Sequence, residues 1–227
     1  MFSALAAFIL GVAGCRSSSG SGARIGATAS AGNPLEPIPV LRSNADFLKA
    51  QTAAQNDLTD AFHKIDVSEP FTAADRTNLL RGARLCAAMA AYLPGKAAAQ
   101  EFTCGEALAA LGYHEEAIHR YELFLNFAGD NPSDDTIRVV RADAYALMSL
   151  SLTALGKYKA ALDATNTALK AFPHTPAYLN DRAQAEIKLG NNRAAKADLT
   201  EAANTAKLDD PAKQKAEALL KTLTAKK

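Results

Sequence analysis

From Asn44 onward the apolar residues recur at spacings of three and four, the period of helices that bury one face. In residues 44–65 that spacing joins Phe47, Leu48, Leu58, Ala61 and Phe62. Residues 72–93 open on Thr72, a cap candidate with Asp75 three positions later. They carry Leu79, Leu80, Ala83, Cys86, Ala87 and Ala90 on one face before Pro94-Gly95 stops the helix. No stretch sustains an alternation of period two in Val, Ile and Thr, so strands are not expected. The pattern predicts an all-α protein.

Within the helical stretch three octets align: ALGYHEEA (110–117), ALGKYKAA (154–161) and KLGNNRAA (188–195). Each has Leu-Gly at its second and third places and Ala at its eighth, at intervals of 44 and then 34 residues. Taking 34 as the unit gives windows 98–131, 142–175 and 176–209, with ten extra residues after the first. Small residues recur at window position 8 (Gly105, Ser149, Ala183), at position 20 (Ala117, Ala161, Ala195) and at position 27 of the later two (Ala168, Ala202).

This pattern resembles the tetratricopeptide repeat, a 34-residue helix-turn-helix unit. The resemblance implies antiparallel helix pairs stacked as a short right-handed solenoid. The small side chains would stand where helices cross, and the Leu-Gly pairs would end the first helix of each pair. Phe124 at position 27 of the first window and the missing closing proline of the third depart from the family pattern. Residues 43–97 then read as N-terminal helices, and 210–227 as the capping helix such arrays require.

The front of the chain is different. Met1 to Ala13 is an apolar run too short to cross the roughly 30 Å hydrocarbon core of a bilayer, and it reads as the apolar region of a secretory signal. Its end, Val12-Ala13-Gly14-Cys15, resembles the bacterial lipobox, although no Lys or Arg precedes the run. The resemblance implies removal of residues 1–14, acylation of Cys15 and a lipid anchor in the cell envelope. Arg16 follows Cys15 where inner-membrane retention favours Asp, so the outer membrane is the expected destination. Residues 15–42, rich in Ser, Gly, Ala and Pro, read as a flexible tether between anchor and domain.

Composition narrows the function classes. A net charge of +1 on 227 residues points to no polyanionic partner, and no basic and aromatic residues interleave as a nucleic-acid platform. His114 and His119 bracket two glutamates, but five residues apart they lie about 140° around a helix, whereas the i, i+4 pair of a zinc helix is separated by about 40°. His63 and His174 stand alone in the sequence. With no phosphate loop, nucleophile elbow or Cys-x-x-Cys motif, neither an enzyme, a cofactor nor a metal is expected.

The leading expectation is therefore a membrane-tethered scaffold binding a protein or peptide; the alternative is a structural subunit or assembly factor of an envelope complex. The repeat resemblance implies that window positions 2, 5 and 9 line a binding groove: Ala99, Phe102 and Glu106; Asp143, Ala146 and Leu150; Ala177, Asn180 and Gln184. Phe102 is either an anchor in that groove or a core residue. Cys86 and Cys104 lie equally far from the turn at Gly95. They are either a disulfide, which export makes possible, or two buried thiols.

Overall fold

A computed structural model describes residues 33–66, 69–130 and 132–225. Cys15, the expected signal segment and residues 15–32 of the expected tether lie outside these. The described residues contain helices and no strand: α1 (Asn44–Asp66), α2 (Ala73–Tyr92), α3 (Ala98–Leu111), α4 (His114–Ala128), α5 (Asp135–Ala154), α6 (Tyr158–Ala171), α7 (Pro176–Leu189), α8 (Asn192–Thr205) and α9 (Pro211–Ala225). None is long and apolar enough to cross a membrane. They form two compact units, one ending at Asn131 and the other beginning at Pro132. That boundary separates the first repeat window from the other two.

In the first unit α1 packs on α2, α2 on α3 and α3 on α4. The α1–α2 pair is antiparallel: Tyr92 Oη donates to Asn44 Oδ1 at 3.2 Å at one end, and Lys64 Nζ to Asp75 Oδ2 at 2.7 Å at the other. Thr72 and Asp75 form the expected capping box. Lys64 and the Thr72 amide hold the Asp75 carboxyl down to about 2. Phe47 turns inward to the Tyr92 ring, 6.1 Å away. Leu48 does not join the core and is 61% exposed. It lies one residue, about 100°, further around a helix whose main packing is on α2.

The expected tether is corrected at its end. Residues 33–36 form a turn docked on α2, with Leu35 fully buried and Arg84 donating to the Pro34 and Glu36 carbonyls.

In the second unit α5, α6, α7, α8 and α9 pack in chain order, with further contacts of α5 on α7 and α7 on α9. The core is built from Ala146, Leu169, Tyr178, Leu179, Leu199 and small neighbours. Most of the ten-residue insertion is helical. It lengthens α5 at its start to 20 residues against 14 in α6, α7 and α8. Asp134 caps the extension, its Oδ1 accepting from the amides of Thr136 at 2.7 Å and Ile137 at 3.1 Å.

The three Leu-Gly turns are built alike. Gly112, Gly156 and Gly190 take φ of 88°, 76° and 80°, where a β-carbon would strain the backbone. In each, the following amide reaches back five residues: Tyr113 to Leu108, Lys157 to Leu152 and Asn191 to Glu186, at 2.8–2.9 Å. These are the paired bonds of a left-handed helix cap. The small residues at positions 8 and 20 are all buried.

Candidate partner-binding face

The first helix of each hairpin presents its expected groove positions very unevenly. In the first unit Ala99 and Glu106 are buried. Phe102 is half-buried; its ring lies 5.5 Å from Phe124, edge to face, and 6.0 Å from Tyr121. It therefore packs across its own hairpin onto α4, and only part of the ring is open to a partner. Phe102→Ala should cost about 1–2 kcal/mol of stability, below the roughly 3–5 expected for a fully buried ring, measurable by thermal melting.

In the second unit the position-5 residues are removed from the groove. Ala146 is buried in the core with Tyr178 and Leu179. Asn180 has no exposure, and its Nδ2 donates to the Ala212 carbonyl of α9 at 2.8 Å. The physical reason is the α5–α7 and α7–α9 packing: each next first helix lies over the position that the groove would need. This corrects the expectation for Ala146 and Asn180; Ala99 and Glu106, corrected likewise, are buried on a helix that packs on both α2 and α4.

What stays partly open in that unit is Asp143, Leu150, Ala177 and Gln184. Asp143 accepts from Tyr178 Oη at 2.5 Å, and burial, reinforced by the Asp143 charge, pushes the Tyr178 hydroxyl far above its ordinary range. Gln184 donates to Asp181 Oδ1 at 3.3 Å, and Asp181 takes a second bond from Lys215 of α9 at 3.2 Å. The partly accessible positions are thus two apolar side chains, Leu150 and Ala177, and a carboxylate and an amide, Asp143 and Gln184, already oriented by internal bonds.

Cys86 and Cys104 stand as free, buried thiols. Cys104 Sγ points to the Ala83 carbonyl at 3.4 Å, which gives its proton an acceptor within α2. Burial pushes the Cys104 thiol up to about 12 and Cys86 well above its usual value. Both are therefore poor nucleophiles, and the disulfide is not formed in this structure. His114, half-buried at the start of α4, is shifted down by burial. His119 is exposed, and His174 Nδ1 sits 2.7 Å from Glu201 Oε1.

Two buried charge arrangements had no motif to announce them. Arg182 of α7 binds Asp198 of α8 through both Nε (2.6 Å) and Nη2 (2.7 Å), and reaches Asn166 of α6 at 3.1 Å. Beside it Glu186 is almost wholly buried, with Oε2 lacking a hydrogen-bond partner. Desolvation first, then the Asp198 charge, push its carboxyl up to about 7, against the pull of Arg182. A polar residue at the eleventh place of a repeat window was the available signal, but sequence does not show what it will face.

No family model matches the chain, and no curated protein or solved structure matches it either.

Proposed function

We propose that the chain is a lipid-anchored helical-repeat scaffold that binds a protein or peptide partner in the cell envelope, without catalysis, cofactor or nucleic acid. The observation that carries this reading is the repeated hairpin: three left-handed Leu-Gly turns of matching geometry, each joined to buried small residues at matching positions. Tetratricopeptide arrays use this construction to present first helices to a partner. The lipobox-like Val12-Ala13-Gly14-Cys15 supports the anchor, and Arg16 supports the outer membrane.

Cys15→Ser is expected to move the protein from the membrane fraction to the soluble fraction, and the mature protein to lack residues 1–14. An intact Met1 on membrane-bound protein would refute the anchor. For the partner, a photo-crosslinking residue at Leu150 or Gln184 should capture it in intact cells, with salt-sensitive, substoichiometric recovery.

The second reading, a fixed subunit of an envelope complex, is favoured by one observation: Phe127 and Leu123 of α4 are 51% and 36% exposed. They are one turn apart on the same helix. A crosslinker at Phe127 that captures a stoichiometric, detergent-stable partner, with none at Leu150 or Gln184, would establish that reading instead.

A further inference from the structure

Residues 33–36 make a turn that is complete in itself. The Glu36 amide donates to the Asn33 carbonyl at 3.1 Å, and the Leu35 amide donates to Asn33 Oδ1 at 2.9 Å. Pro34 sits at the second place, where its fixed φ favours such a turn. Asn33 thus bonds both amides that the turn offers, so its shape is set by its own four residues before it meets the domain.

Two features hold this turn on the domain. The structure closes completely over Leu35. The Arg84 guanidinium donates to the Pro34 carbonyl through Nε (3.2 Å) and Nη2 (3.0 Å), and to the Glu36 carbonyl through Nη2 (2.8 Å). One apolar side chain and two main-chain carbonyls are read, and neither reading needs the turn to be continuous with the helices. Beyond it burial is only partial: Ile38 and Leu41 are half-buried, and Val40, four residues after Glu36, is 79% exposed. A preformed turn loses little freedom on docking, so the recognition is portable.

We propose that Arg84 and the cavity filled by Leu35 form a binding site for an Asn-Pro-Leu-Glu turn, occupied in this chain by its own residues 33–36 and able to accept the same turn from a partner polypeptide. The site is separate from the groove positions and does not depend on the lipid anchor. Its ligand class is a short segment with proline before a buried leucine and two carbonyls turned toward a guanidinium. Carried on the same chain, the turn has an effective concentration in the millimolar range, which shuts out weak competitors until it is displaced.

The test uses the full chain and a fluorescein-labelled peptide of residues 33–39, followed by anisotropy. Wild type should bind the peptide poorly, because its own turn fills the site. Leu35→Asp expels that turn, since a carboxylate will not enter the cavity unpaired. This variant should keep its helical circular dichroism and bind the peptide at least about tenfold more tightly than wild type. Adding Arg84→Ala to Leu35→Asp should return binding to the wild-type level, and a peptide with Ala in place of its Leu should not bind. Three results overturn the proposal: a folded Leu35→Asp that binds no better than wild type, binding that survives Arg84→Ala, or loss of helical signal in Leu35→Asp, which would make Leu35 part of the core.

Discussion

Gly105→Ala should destabilise the first unit by about 3 kcal/mol, at the upper end of the cost of overpacking a core. In an exposed helix interior the same change would stabilise by about 1 kcal/mol, so the expected sign is reversed by packing. A β-carbon at Gly105 would stand 2.6 Å from Cε1 and 2.8 Å from Cδ1 of Tyr121. That ring is fully buried, with the Phe102 ring 6.0 Å away and itself packed on Phe124, so moving it means repacking the hairpin. The other windows suggest the remedy. At the places of Gly105 and Tyr121 the third window has Ala183 and Leu199, both fully buried. Tyr121→Leu combined with Gly105→Ala should therefore be more stable than the sum of the single changes implies, with a coupling of roughly 1–3 kcal/mol. Chemical denaturation of the four proteins measures it, and additive losses would mean that the ring and the glycine are not matched.

The second large effect is at Glu186. Its carboxyl is pushed up to about 7 from 4.5, so between those values the folded unit binds a proton that the unfolded chain does not. Stability contributed by this group is present below about pH 4.5 and is lost as pH rises through 7. Glu186→Gln keeps the shape without the buried charge. It should leave stability near pH 4.5 unchanged and raise it above pH 7 by about 2 kcal/mol; the shift, at about 1.36 kcal/mol per unit, sets a ceiling slightly above 3. Arg182 retains its bidentate bond to Asp198 in the variant, so no cation is orphaned. Urea titrations of both proteins at pH 4.5 and 8 check the prediction. Equal pH dependence in the two would mean that Glu186 is ionised throughout.

The helices were legible because their signals are local. Thr72 with Asp75 closes a capping box within one turn, and each Leu-Gly pair meets the left-handed conformation within its own cap. The groove was less legible. Positions 2, 5 and 9 lie on one helix face, but whether that face is open depends on the crossing of the next first helix. Ala146 and Asn180 were lost to the groove for that reason, whereas Leu150 and Gln184, on the same faces, kept partial exposure. Leu35 reads as tether in the sequence because a single leucine among prolines has no period, and Arg84, which holds the carbonyls on either side of it, is about fifty positions away.

By itself the sequence determined the all-α class, the helix ends, the matching hairpins and the small residues inside them. These depend on backbone preferences and on side-chain volume at short range, which a 34-residue period repeats. Only the tertiary structure decided three things: that the array divides after the first window, that Leu35, ahead of the first helix, is buried against the domain, and that Glu186 is desolvated beside Asp198. Each turns on which surfaces meet, and a surface brought in from dozens of residues away leaves no local pattern to read.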